Sequence, residues 1–411
     1  MKIFLPTKVK YIIDQIYNHG YEAYIVGGCV RDSIIGTQPH DYDITSSATP
    51  EKIMEIFADH KCIETGIEHG TVSILINEEI FEITTYRVEG EYKDHRRPEK
   101  VEYTRSLEED LKRRDFTINS MAYNEKNGLV DIFGGISDIN NKIIKTVGNP
   151  DERFEEDGLR MIRAIRFSSK LDFKIEKNTI NAIYKNAPII KNISLERISD
   201  ELSEIILSDN PQNLIFIFDT KLLNYLNISN EIDKSKLSIL KEKLRTLNNI
   251  DKDLIKRLAA LDFIIKDLDI NCKSICNSLI FSKKINKTVN ILLNYMVSLD
   301  ICNLDKIQIK KVLKDINMDI FKTYLEICKG ILYNNKNNEI IDNIINILKK
   351  IEENNECYTI KNLDINGTDI MNLGYKNEKI GLILNYLLDE VIKNPNINKK
   401  NILIEKVNFM Q

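Results

Sequence analysis

Apolar positions in the first 150 residues alternate between helical and strand spacing, and each switch predicts an element. Residues 7–19 read as an amphipathic helix leading into a buried strand, Ala23 to Val26, which stops at the pair Gly27-Gly28. Thr49 precedes Pro50-Glu51-Lys52, with proline at the first helical position, and this predicts a helix to about Phe57. Residues 71–76 and 80–86 are two β-rich runs joined by Asn77-Glu78-Glu79, a hairpin signal. In the second run Phe81 and Ile83 point one way, and Ile80, Glu82 and Thr84 point the other. Residues 88–105 are polar and without period, which predicts a long mobile loop around Asp94-His95-Arg96-Arg97-Pro98. Ser106-Leu107-Glu108-Glu109 has the form of a capping box opening a helix through Leu111. A short strand over 128–133 follows, and Gly134-Gly135 is expected to close the first domain.

From about Ile143 strand signals fade and helical periodicity takes over. The densest stretch is Glu155 to Phe167, read as one helix. There Asp157 and Arg160 are neighbours on one face, Arg163 lies one step further round, and Arg166 about half a circumference away. Taken alone, Asp157 and Arg160 also read as an i, i+3 salt bridge on a solvated face. Residues 200–350 are helices of Ile, Leu and Lys broken at Asn-rich points, 247–250 and 334–338. Residues 365–370 lead into a last helix with Ile380, Leu384, Leu387, Leu388 and Val391 on one side.

Composition narrows the class. A chain of 411 residues is too long for one ordinary core, so two or more domains are expected. No run of eighteen apolar residues and no signal-peptide core occurs, so neither membrane nor export is expected. The seven cysteines are odd in number and lack Cys-x-x-Cys spacing, which points to reduced thiols in a cytoplasmic protein. Net charge is −4, but residues 1–150 carry −7 and the remainder +3, so a nucleic-acid partner belongs mainly on the second part.

The candidate chemistry centres on Asp41-Tyr42-Asp43. If that segment is a strand, both carboxylates emerge on one face. Paired acids repel unless a cation sits between them, and hard oxygen ligands beside a glycine pair suited to phosphate suggest Mg²⁺. Glu82 is a candidate third carboxylate, though the pattern suits an exposed strand glutamate equally well.

The ordered set Gly27-Gly28-x-x-Arg31-Asp32, Asp41-x-Asp43, Glu82, Asp94-x-Arg96-Arg97-Pro98, Arg113-Arg114-Asp115-Phe116-Thr117-Ile118-Asn119 and Glu156-Asp157-x-x-Arg160 resembles the class II tRNA nucleotidyltransferases, of the poly(A) polymerase head-domain type. The resemblance is strong over residues 20–175 and returns at 364–388. It implies an α+β chain with a small mixed-sheet catalytic head (1–145), a helical neck (146–205), a helical body (206–300) and a helical tail (301–411). It implies addition of CCA to the tRNA 3′ end from CTP and ATP, with tRNA bound through its acceptor end and T arm. Neither a membrane nor a protein partner is expected. Asp41 and Asp43 would hold Mg²⁺, with Glu82 as the third acid. Gly28, Arg31 and Arg114 would bind triphosphate or sugar. Asp157 and Arg160 would read the base, and Arg163 and Arg166 would also serve nucleotide binding. CC-adding and A-adding enzymes and bacterial poly(A) polymerases share most of this set. The loop at 94–98 resembles an element that CC-adding enzymes shorten, and residues 65–71 lack the basic element of the poly(A) polymerases. A non-catalytic RNA-binding relative would be expected to have lost the acids that this chain keeps.

Overall fold

The structure is a computed structural model that describes residues 2–64, 66–90, 101–332 and 335–409. The sequence motif at 94–98 lies outside the described residues. The chain divides into two compact units. One comprises residues 1–241 with 271–273 and 278–280, and the other 242–270, 274–277 and 281–411.

The first unit begins with helix α1 (Thr7–Asn18), whose apolar stripe of Val9, Ile12, Ile13 and Ile16 is buried. The strands that follow are β1 (Ala23–Val26), β2 (Ile44–Ser46), β3 (Lys61–Ile63), β4 (Thr71–Ile76), β5 (Glu79–Thr85), β6 (Arg87–Glu89), β7 (Val101–Tyr103), β8 (Ala122–Asn124) and β9 (Gly128–Val130). Seven of them form one mixed sheet in the order β3-β4-β5-β2-β1-β8-β9, while β6 and β7 pair as a separate ribbon. The parallel pair β2–β5 sets Ile44 against Ile83, both buried. Helices α2 (Gly28–Ile35) and α3 (Pro50–Ile56) are the first two inserted between strands. Of these, α3 packs with α1 and against β4 and β5, closing one face of the sheet.

The hairpin is tighter than its sequence suggests. The connection is Asn77-Glu78 alone, with φ of 47° and 66°, and Glu79 is already in β5. Two left-handed residues match the twist of the flanking strands, as a two-residue hairpin requires. Further on, α4 (Leu107–Lys112) has half of the anticipated cap, with the Ser106 hydroxyl accepting from the Glu109 N–H at 3.4 Å. Gly134-Gly135 does not end the domain. Gly134, at φ +78°, opens helix α5 (Gly135–Asn140), whose first N–H groups donate to the Asp131 carboxylate at 2.6 and 2.9 Å.

Strand structure also persists past Ile143, contrary to the periodicity. Strand β10 (Ile143–Ile144) pairs in parallel with β11 (Lys174–Ile175). Between them run α6 (Pro150–Glu156) and α7 (Leu159–Leu171), followed by α8 (Lys177–Asn186) and α9 (Leu195–Leu207). Helix α6 packs on α8, and α7 on α9.

The second unit is helical. Ile250 is extended after a 3-10 turn over Arg245–Asn249, so a break does fall there. The run 334–338 instead lies largely within the helix Asn335–Glu353. The helix Glu378–Lys393 buries Leu384, Leu387, Leu388 and Val391 in a core shared with Ile370, Leu403 and Val407, and Ile380 packs at its edge. Among the described residues no helix is long and apolar enough to cross a membrane.

Candidate active site

The site is built where β1 ends. Gly27 has φ 80° and ψ −130°, a conformation open to glycine, and its N–H donates to the Met121 carbonyl at 3.2 Å. A Cβ there would lie 3.3 Å from Arg114 Nη1 and 3.9 Å from Asp43 Oδ2. The turn, the arginine and the carboxylate therefore meet at one point. Gly28 starts α2, so the first-turn N–H groups of that helix face the same side. Arg31, 5% exposed, is held by Asp32 at 2.8 Å and by Asn119 at 2.7 Å, with Nη2 3.6 Å from the Cβ that Gly28 lacks. The Cys29 thiol is pushed up to about 12 by burial and then by the Asp43 charge, which removes it as a thiolate nucleophile.

Asp41 and Asp43 are not on a strand but in the extended segment that enters β2. The Val26 N–H donates to the Asp43 carbonyl at 3.0 Å, so the ladder with β1 continues past the end of β2. Extending the Ile44–Ile83 register by one residue sets Asp43 beside Glu82. Glu82 is exposed while its neighbours Phe81 and Ile83 are buried, as the alternation predicts. Asp41, Asp43 and Glu82 line one open cleft of about 630 Å³ with Lys8, His40 and Ile80. The Asp43 carboxyl is raised by lost hydration; Arg114 opposes that rise, and Asp41 and Glu82 add to it. Clustered carboxylate oxygens that repel one another fit a divalent cation, so Asp41 and Asp43 suit the metal that the sequence implies. Among the described residues no group of three or more His, Cys, Asp or Glu side chains is placed to hold a metal ion, and Glu82 lines the same cleft as the pair.

The predicted base-reading pair is arranged differently from its expectation. Asp157 is not helical; it sits at φ −139°, ψ 105° in the break between α6 and α7. Its carboxylate accepts from the Leu159 N–H at 3.0 Å and from Arg197 Nη2 at 2.8 Å. Arg160, 8% exposed, bonds instead to Glu156 at 2.5 Å and to the carbonyls of Arg153 and Arg113 at 3.3 and 3.1 Å. The physical reason is the Asp157 side chain itself, which caps the restarting helix and breaks the i, i+3 relation. Arg163 donates to Asp115 at 2.9 and 2.7 Å and to Glu201 at 3.4 Å. Arg166 shares that partner: it pairs with Glu201 at 2.6 Å and lies over the Phe167 ring at 4.3 Å. Arg31 and Arg163 approach the same ring at 5.4 and 5.5 Å, so Phe167 gathers three guanidinium groups.

The chain matches the family model described as Poly A polymerase head domain over residues 23–145, and that described as Probable RNA and SrmB- binding site of polymerase A over 172–231. It is 41% identical over 401 residues to a CCA-adding enzyme of Ligilactobacillus salivarius, covering 96% of this chain and 94% of the relative. This chain belongs to the CCA-adding enzymes. It is thus a tRNA nucleotidyltransferase. A CCA-adding enzyme of Limosilactobacillus reuteri DSM 20016 is 51% identical over 209 residues, about half of each chain. Among solved structures, a Bacillus stearothermophilus CCA-adding enzyme in complex with CTP superposes with a TM-score of 0.80 at 27% identity over 99% of both chains. A Thermotoga maritima CCA-adding enzyme complexed with tRNA shares the fold, with a TM-score of 0.66 at 19% identity.

Several residues that hold this candidate site together leave no signal in the sequence. Arg197 pairs with Asp157 across 40 positions, and Glu201 with Arg163 across 38, separations that leave no local periodicity to read. Asp115 was legible only as part of a motif, yet it anchors Arg163. The Asp157-Gly158 dipeptide is a turn signal and could have exposed the helix break.

Proposed function

We propose that Asp41, Asp43, the Gly27-Gly28 turn and Arg114 form the centre at which this CCA-adding enzyme extends the 3′ end of tRNA from CTP and ATP. In that reaction the terminal 3′-oxygen forms a bond to the nucleotide α-phosphorus. The bond to the β-phosphate oxygen breaks, pyrophosphate leaves, and the hydroxyl proton passes to solvent. The observation that carries the reading is the meeting of Asp43 Oδ2 and Arg114 Nη1 within 4 Å of one point on the glycine turn. Acid for a cation and base for a phosphate are thereby adjacent.

Asp41 and Asp43 would hold Mg²⁺, bordered by Glu82. The bound ion supplies Lewis acidity to the attacking and leaving oxygens. The α2 N–H groups and Arg114 receive the triphosphate, and Arg31 supports the turn from below. Asp157 suits the exocyclic amino groups of cytosine and adenine, both donors, and Arg160 the ring nitrogens beside them, both acceptors. Uracil and guanine present the opposite polarity to the carboxylate. Arg163 and Arg166, already committed to Asp115, Glu201 and Phe167, support the nucleotide site by fixing α7. Free thiols at all seven cysteines favour the cytoplasm as its place of work.

The test is extension of a tRNA that ends at its discriminator base, with labelled CTP and ATP. Sequential gain of C, C and A supports the reading. Addition of C alone, or of A alone, overturns it. In the same assay, an Arg160→Ala protein should admit UTP or GTP; continued strict addition of C, C, A by that variant contradicts the base-reading role.

A further inference from the structure

Asp110 is 0% exposed, and no role for it follows from the chemistry above. Its two oxygens gather donors from four places. Oδ1 accepts from Arg113 Nε at 3.0 Å and from the Arg87 N–H at 3.4 Å. Oδ2 accepts from Arg114 Nη2 at 3.2 Å and from the Thr45 hydroxyl at 3.3 Å. Thr45 lies in β2, two residues past Asp43, and Arg87 follows the strand that carries Glu82. The carboxylate thus ties the arginine pair at the end of α4 to β2, which follows Asp43, and to β6, which follows the strand of Glu82.

Burying a charge is costly unless it is paired, and here two guanidinium groups pair it. The consequence lies in how Arg114 is divided. Its Nη2 is fixed on Asp110, and its Nη1 stands 3.3 Å from the Cβ position of Gly27. A planar guanidinium anchored at one nitrogen presents the other in a fixed direction, which an ammonium cannot do.

We propose that Asp110 is a positioning residue that anchors one end of Arg114 so that its other end stays aimed at the triphosphate side of the glycine turn. The proposal rests on the assignment of Arg114 to the nucleotide, and a double-mutant cycle separates the two. The measurement is kcat/KM for CTP on a tRNA ending at its discriminator base, in full-length wild type, D110N, R114A and D110N/R114A.

If Asp110 acts through Arg114, D110N lowers kcat/KM by ~10–100-fold, the scale of a charge-assisted hydrogen bond, chiefly by raising KM. Added to R114A it then costs less than ~3-fold. A D110N penalty that multiplies fully onto R114A overturns the proposal and leaves the Arg114 assignment intact. An R114A protein with unchanged kcat/KM overturns both. Arg114→Lys keeps the test decisive should D110N fail to fold. A lysine held by Asp110 has no second nitrogen for the turn, so its loss should match that of R114A within ~3-fold. Near-wild-type activity of Arg114→Lys overturns the two-ended anchoring.

Discussion

Asp115 shows how one half-buried residue ties helix α7 to the segment that follows α4. Burial alone would raise its carboxyl, but the Arg163 guanidinium, with help from Arg160 and Asn119, outweighs that and holds it at about 2. A carboxyl whose folded value is depressed stabilises the fold above its unfolded value, near 3.9, and loses that contribution as pH falls through about 2. Asp115→Asn should therefore lower stability by about 2 kcal/mol at pH 7, and the gap from wild type should close between about pH 4 and pH 2. Urea unfolding of both proteins across that range checks the sign. Individual side chains were legible where chemistry is local: Asp41, Asp43 and Glu82 do share a cleft. They were illegible where the partner is remote, as with Arg197 on Asp157.

Elements carry the next level of the design, and the turn after β1 is the clearest case. Nothing in the apolar pattern specifies φ 80°, ψ −130° at Gly27, yet two adjacent glycines ending a strand signalled a close approach. The structure shows what approaches: Arg114 and Asp43. A methyl group at Gly27 adds backbone strain of about 1–3 kcal/mol and presses on Arg114. Gly27→Ala should lower kcat/KM for CTP and ATP alike by more than ~10-fold while leaving the preference for C and A over U and G intact. Steady-state kinetics with the four nucleotides checks it. The helix break at Asp157 was hidden by a run of good helix formers on both sides. Periodicity reports which face is apolar, and it is insensitive to a single residue whose own side chain restarts the helix. Strands β10 and β11 were missed for a related reason, since two-residue pairings are too short to show a period.

At the scale of the whole molecule, length anticipates more than one compact unit, but the two units divide near residue 241, well past the change in periodicity at about Ile143. The helical unit contains a feature no pattern announces. Lys310, 1% exposed on the helix Lys306–Ile331, pairs with Glu356 at 2.5 Å, and Lys306 reaches the same carboxylate. In sequence Lys310 reads as one more surface lysine, because its partner lies 46 positions on. Glu356→Gln leaves that ammonium buried beside a neutral amide. It should cost about 2–4 kcal/mol of stability. Calorimetry should show a lower melting temperature, with addition of C, C and A at 20–25 °C unchanged by more than about twofold. The charge contrast, −7 over residues 1–150 and +3 beyond, makes the second part the less repulsive one toward RNA phosphate.

The carboxylate pair beside the glycine turn is the centre of the proposed chemistry. Its most direct test is the single-turnover rate of CMP addition by an Asp43→Asn protein, with CTP saturating and folding verified by circular dichroism. If the pair holds the cation, the chemical step falls by at least ~100-fold, with CTP affinity within ~10-fold of wild type. A variant that adds CMP within tenfold of the wild-type rate would contradict that role.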